Sequence, residues 1–223
     1  MSIQTAEQPP EFTWLRYFLL FAFASGALAH LLPAVLPVTR YTTDPLLLII
    51  NGFLLYAVYE QNGDQRLWGW LAFAYVFTFF TEAAGVATGA IFGEYHYGAT
   101  MRWQWLGVPF VIALNWAVLT LAANDLSLKL TRSPWLAAAL AGIFLALYDV
   151  AIEPIAIALD YWQWAAPTVP IQNYLAWALV AFLISVPLQL MKIRFRSSLL
   201  LLYFFAQLAF FLILNGGRIL NLL

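Results

Sequence analysis

Three carboxylic acids lie inside apolar stretches of this chain: Glu82 in FAYVFTFFTEAAGVATGAIFG, and Asp149 and Glu153 in ALYDVAIEPIAIALDYWQW. An ionisable group at membrane depth costs about 2.5–3.5 kcal/mol on insertion scales, so each is a candidate for chemistry. Asp149 and Glu153 are spaced i, i+4 and share a helix face. At about 100° per residue, Asp160 falls within about 40° of Asp149, which predicts a stripe of three carboxylates. Two carboxyls so close do not both ionise easily, and one that keeps its proton is what general-acid chemistry requires. Pro154 cannot donate a backbone bond, so the Val150 carbonyl loses its partner and the helix bends. Glu82 is followed by Gly85-x-x-x-Gly89, a spacing that lets a neighbouring backbone approach closely. The plain structural alternative is that each acid only accepts hydrogen bonds between helices.

The surroundings of these acids define the class. Of 223 residues 64% are hydrophobic and 9% charged, with a mean hydropathy of +0.81. A soluble domain carries about 25% charged residues, so this composition predicts an integral membrane protein. Seven apolar stretches, near 14–36, 45–60, 67–88, 106–123, 134–159, 170–190 and 197–215, have the length a bilayer requires, the second being the shortest. Trp14, Trp68, Trp103, Trp135 and Trp162 mark their ends, where amphipathic rings settle. The expected fold is an all-α bundle of about seven transmembrane helices over 12–223, preceded by a disordered polar tail at 1–11 that lacks the features of a signal peptide.

Basic residues set an orientation. Arg16, Arg66, Lys129, Arg132, Lys192, Arg194 and Arg196 fall on the N-terminal side, against Arg40, Arg102 and Arg218 on the other. The N-terminus is therefore expected in the cytoplasm, in a multi-pass protein of the cell inner membrane. His30, Asn51, Glu82, Asp149, Glu153, Asn173 and Asn215 then share the outer half, and the opposite half holds few polar groups. One polar site beneath the 89–105 and 160–170 connections is the economical expectation. The first of these, GAIFGEYHYGATMRWQW, is dense in aromatics and can close over the bundle as a lid. Its Glu94 and His96, like His30, fit a solvated or capping role as well as a catalytic one. Asn51, Asn115 and Asn173 are intramembrane amides, each able to serve as interhelical glue or to orient a water or a carboxylate.

What is missing narrows the chemistry. Cysteine is absent, which removes thiolate catalysis, disulfides and Cys-ligated metals. Two histidines cannot build a histidine-rich di-iron centre, and no H-E-x-x-H, G-x-S-x-G or glycine-rich nucleotide loop occurs. Both lysines, Lys129 and Lys192, lie in connections, where they cannot hold a retinal Schiff base. No basic run suggests a nucleic-acid partner. Carboxylate acid–base work assisted by aromatics remains.

Three segments together carry a family likeness. EAAGVATGAIFGEYHY (Glu82 to Tyr97) resembles the carotenoid biosynthesis protein family, the membrane carotenoid hydratases, whose pattern is E-x-x-G-x-x-T-G-x-x-F-G-x-Y-x-Y. DVAIEPIAIALDYWQW (Asp149 to Trp164) and PIQNYLAW (Pro170 to Trp177) match it as well. The resemblance implies an enzyme that adds water to the terminal isopropylidene double bond of an acyclic carotenoid end, as in γ-carotene, lycopene-like ends or bisanhydrobacterioruberin. It implies a tertiary 1-hydroxy product and no metal or nucleotide cofactor. On this chain it assigns Glu82, Asp149 and Glu153 as the acids and Tyr95, Tyr97, Asn173 and Trp177 as pocket residues. Asn115, Asp160 and Trp164 join them as substrate-binding candidates, while Glu94 and His96 fall at variable positions.

Such a hydration protonates C2 and leaves a tertiary cation at C1 for water to capture. It needs a protonated acid in a dry site, a held water, and aromatic faces to stabilise the cation. Asp149 or Glu153 is the expected donor, with Glu82 on water or orientation. The alternatives are an end-group cyclase, a non-catalytic carotenoid-binding protein, and a proton-coupled transporter. No internal repeat of the kind many transporters carry is visible.

Overall fold

A computed structural model describes residues 11–193 and 195–222. The expected tail therefore lies, apart from Glu11, outside the described residues, as does Arg194. Seven helices follow in order: α1 (Thr13–Leu31), α2 (Leu36–Asn62), α3 (Arg66–Thr88), α4 (Phe110–Leu130), α5 (Pro134–Ala158), α6 (Ile171–Leu190) and α7 (Ser198–Ile219). All seven are long and apolar enough to cross a membrane. The chain is an all-α, multi-pass membrane bundle. Four short strands, β1 (Tyr95–Tyr97), β2 (Gln104–Trp105), β3 (Val108–Pro109) and β4 (Trp162–Trp164), lie in the α3–α4 and α5–α6 connections.

α4 is the most buried span and α1 the least. Packing on α4 is close because small side chains face its neighbours: Ala117, Ala122 and Ala123 are fully buried. A glycine brings α5 against the backbone of α6, where a Cβ on Gly142 would sit 2.5 Å from the Ala178 carbonyl oxygen. The expected backbone approach at Gly85 and Gly89 is not what the structure shows. A Cβ on Gly85 would meet the Phe92 ring at 2.6 Å, so the glycine makes room for an aromatic from the following loop. Gly89 ends α3 in the left-handed conformation (φ 65°).

Two spans depart furthest from their expected bounds. α2, expected to be the shortest, is the longest at 27 residues. Asp44 and Pro45 read as a boundary, but the Asp44 carboxylate is buried and accepts from the backbone N–H of Arg102 (2.6 Å) and Trp103 (3.3 Å). That satisfaction lets the helix begin at Leu36 and carry Pro45 internally. α4 runs seven residues beyond its expected end at 123, because its polar last turns find partners. Asn124 Nδ2 donates to Ser185 Oγ (2.7 Å), and Gln189 Nε2 donates to Asn124 Oδ1 (2.7 Å). With Asp125 and Ser127 also buried, the half expected to hold few polar groups holds a compact polar cluster.

Candidate active site

The connections above the acids form a two-stranded ribbon. β1 pairs antiparallel with β4, in the register Tyr95↔Trp164, His96↔Gln163 and Tyr97↔Trp162. Alternate residues of a strand face opposite ways, so Tyr95, Tyr97, Trp162 and Trp164 turn into the bundle while His96 is exposed. The spacings Y-x-Y and W-x-W are thus two halves of one inward aromatic face. A second hairpin, β2–β3, turns at Leu106 (φ 52°) and Gly107 (φ 75°), the two positive φ values a tight hairpin turn requires. It leans on α3 through stacking of Trp105 on Phe79, 5.6 Å between ring centres.

Under the ribbon, Glu82 of α3 is held by three donors. The Tyr95 and Tyr97 hydroxyls donate to its Oε2 at 2.5 and 2.9 Å, and Trp116 Nε1 donates to its Oε1 at 2.8 Å. Burial first, and then the neighbouring Glu82, push both phenols well above the ordinary tyrosine range, so they stay protonated and able to donate. Trp116 stacks on Trp177 of α6 with ring centres 4.0 Å apart.

Glu153 of α5 is held differently. Trp162 Nε1 (3.1 Å) and Trp164 Nε1 (2.9 Å) both donate to its Oε2, and Asn173 Nδ2 donates to its Oε1 (3.1 Å). The same Asn173 amide donates to Asp149 Oδ2 at 2.5 Å. Asn173 enters in the first turn of α6, after Pro170, and so ties two acids one turn apart on α5. Asp149 is fully buried, and its Oδ1 has no hydrogen-bond partner. α5 runs through Pro154 and is braced nearby from α7, where Asn215 Nδ2 donates to the Ala151 carbonyl (2.8 Å).

These groups surround a cavity of about 60 Å³. Glu82, Tyr95, Tyr97, Asn115, Glu153, Trp164, Asn173 and Trp177 all line it. Asp149 does not; it stands behind Asn173 and Glu153. Asp160 does not either, and the predicted three-carboxylate stripe is corrected here. α5 ends at Ala158 in a Schellman turn, with Tyr161 N–H donating to the Ala156 carbonyl (2.8 Å) and Asp160 left-handed (φ 57°). Its carboxylate swings out of the helical register to accept from Ala99 N–H (3.0 Å), fastening the lid segment.

Sequence reasoning missed Trp116, Gln207 and Tyr161, which also line the cavity, and Tyr203, which donates to Asn115 Oδ1 at 2.5 Å. Only Gln207, a lone polar residue in an apolar run, left a visible signal. A second cavity, about 70 Å³ and almost wholly apolar, lies among α1, α2 and α7 and is lined in part by Gly26 and His30. Leu47, Tyr161, Gln207 and Phe211 line both cavities. Among the described residues, no three His, Asp or Glu side chains converge to hold a metal.

Fold and site define a multi-pass membrane protein with a buried acid–aromatic cavity beneath an extramembrane ribbon. A profile of the carotenoid biosynthesis protein family matches residues 44–217, from Asp44 of α2 to the last turn of α7, and the chain belongs to that family. No curated protein and no solved structure matches the chain. A role in carotenoid biosynthesis follows from the family.

Proposed function

We propose that the protein is a cofactor-independent carotenoid hydratase, adding water across the terminal C1–C2 double bond of an acyclic carotenoid end. The observation that supports this is a cavity with two glutamates set among aromatic walls, in a chain of this family. In the reaction a carboxyl proton is taken up at C2 by the π electron pair, leaving a tertiary cation at C1. A water lone pair then forms the C1–O bond, and the surplus proton returns to a carboxylate.

A donor must face the substrate, which selects Glu82 and Glu153 and gives Asp149 a supporting place. Two of the Glu153 partners are indoles, which only donate, so Glu153 serves as the standing acceptor whose charge stabilises the cation. Two of the Glu82 partners are phenols, which can donate or accept as a proton moves. Glu82 therefore gives the proton to C2 and takes one back from the captured water. This allocation replaces the expectation that Asp149 or Glu153 is the donor. The stacked Trp116–Trp177 pair adds cation–π stabilisation, about 2 kcal/mol when desolvated. The polyene tail runs from the site into the apolar second cavity and out to lipid between helices. The setting we propose is the cell inner membrane with the N-terminal side cytoplasmic.

The test is expression in a bacterial host that accumulates lycopene or γ-carotene, with extracted pigments separated and weighed by mass spectrometry. A more polar pigment heavier by one water is the expected result. An isomer of unchanged mass would make the protein a cyclase, and unaltered pigment with folded protein in the membrane would remove the reading for these substrates.

A further inference from the structure

The end of the bundle opposite the ribbon carries a cleft of about 500 Å³, against about 60 and 70 Å³ for the two cavities near the ribbon. It opens between the α4–α5 turn and the α6–α7 connection. Arg132, Lys192 and Arg196 line it, and all three are exposed. Among the described residues none of them makes an ion pair or donates a side-chain hydrogen bond; the cation that does pair at this end is Arg66, with Asp64. The acid in electrostatic reach is Asp125 of α4, which is buried and acts on Lys129 and Arg196.

The arch that carries two of these cations is preformed. α6 ends in a Schellman turn, with Ile193 N–H donating to the Leu188 carbonyl (3.2 Å) and Lys192 N–H to the Gln189 carbonyl (3.1 Å). Lys192 is left-handed there (φ 51°), at a position where glycine is the usual residue. Arg66 Nη1 then donates to the Met191 carbonyl (2.9 Å) and Asn62 Nδ2 to the Arg196 carbonyl (3.0 Å), so the ends of α2 and α3 pin the connection at two points. Arg132 enters from the α4–α5 turn, just before the first turn of α5, whose backbone dipole adds positive potential. The rest of the lining is mostly apolar, with Leu128, Leu188, Ile193 and Phe195. Membrane topology asks for basic residues at one end of a bundle. It does not ask for three unpaired ones around a single apolar-walled cleft.

We propose that this cleft binds an anionic phospholipid, its phosphate held by Arg132, Lys192 and Arg196 and an acyl chain lying along the apolar wall. Guanidinium and ammonium groups suit phosphate oxygens, and basic pockets between transmembrane helices take anionic headgroups. A soluble phosphate would use the cations and leave the apolar wall wet, which favours the lipid. The site lies at the far end from Glu82 and Glu153 and does not rest on the hydratase reading. A lipid seated there ties the α4–α5 turn to the α6–α7 connection and stabilises the folded bundle.

The purified chain in neutral detergent is titrated with phosphatidylglycerol or phosphatidylcholine, and native mass spectrometry reads retained lipid beside the unfolding temperature. Phosphatidylglycerol is expected to be retained about tenfold more than phosphatidylcholine and, at saturation, to raise the unfolding temperature by about 3 °C. Arg132→Gln and Lys192→Gln should each weaken its retention about fivefold, the share of one basic residue near an anionic surface. Lys129→Gln removes the same charge from the same end but outside the cleft, and should leave retention unchanged. Equal weakening in Lys129→Gln overturns the site in favour of diffuse surface charge. Equal retention of the two lipids by the wild-type chain overturns it as well. Displacement of the lipid by excess inorganic phosphate would make a soluble phosphate the ligand and overturn the lipid assignment. Should either variant of the cleft fail to fold, Arg196→Gln carries the same expectation and the same refutation.

Discussion

The two walls of the cavity present the same functional group in opposite company. On the α3 side, Glu82 is met by two phenols and one indole; on the α5 side, Glu153 is met by two indoles and one amide. Indoles can only donate, whereas phenols donate and accept. One wall can therefore follow a proton as it moves, and the other is fixed as an acceptor. Two partners of each glutamate come from the same ribbon, in which β1 supplies the Glu82 phenols and β4 the Glu153 indoles in direct cross-strand register. A single strand pairing between two connections thus differentiates two glutamates that sequence alone leaves equivalent.

The largest expected effect is at Glu82. Glu82→Gln keeps the Trp116 and tyrosine contacts through its amide but has no proton to give, and should lower hydration about 10²–10⁴-fold, the span of general acid–base catalysis. In D₂O, deuterium exchange into recovered substrate, which reports protonation at C2 followed by loss of a proton, should vanish with it. Glu153→Gln removes charge opposite the cation without removing the acid, and should cost about 10²–10³-fold, in line with loss of one electrostatic stabiliser. There both product and exchange should slow in proportion. If Glu153→Gln abolishes exchange while Glu82→Gln retains it, the roles of the two walls are reversed.

The aromatic partners sharpen the contrast at smaller scale. Tyr95→Phe or Tyr97→Phe removes a partner that follows the proton and should slow turnover roughly tenfold, the equivalent of about 1.4 kcal/mol in the barrier. Trp162→Phe or Trp164→Phe instead leaves a buried carboxylate short of a donor, which costs about 1–3 kcal/mol and should show first as lower thermal stability in detergent. Because burial and Glu82 hold both phenols above the ordinary range, the wild-type rate should not fall through phenol ionisation up to about pH 10. A decline centred near pH 9 that Tyr95→Phe removes would contradict that.

Hydropathy made the seven spans legible, since 18 or more apolar residues in a row have few other uses. It misjudged α2 and α4 for one reason: Asp44, Asn124 and Asp125 look like helix ends until their partners, supplied from 58 or more residues away for Asp44 and Asn124, are known. The acids Glu82, Asp149 and Glu153 and the motifs Y-x-Y and W-x-W were visible, but the pairing that joins the motifs is a tertiary fact. Asp160 was misplaced because helical periodicity was carried two residues past Ala158, where α5 ends, onto a residue whose backbone is left-handed. The polar cluster around Asn124 gave no warning at all, since its amides and hydroxyls are scattered over two helices with no motif spacing.

The smallest expected effect is at Asp149, and it bears hardest on the comparison. Asp149 lies outside the cavity and touches the site only through the Asn173 amide, which it shares with Glu153. Asp149→Asn keeps an oxygen to accept from Asn173, so hydration should fall less than about tenfold, or about 1.4 kcal/mol. What it does lose should be lost through Asn173, and a double-mutant cycle reads this directly. In an Asn173→Leu background, Asp149→Asn should change nothing further, while Glu153→Gln should still reduce turnover because Glu153 keeps its indoles and its face on the cavity. Loss of hydration in Asp149→Asn as deep as in Glu82→Gln would make Asp149 the proton's source, delivered by way of Glu153. The α5 wall would then move the proton, and the division of labour between phenols and indoles would fall.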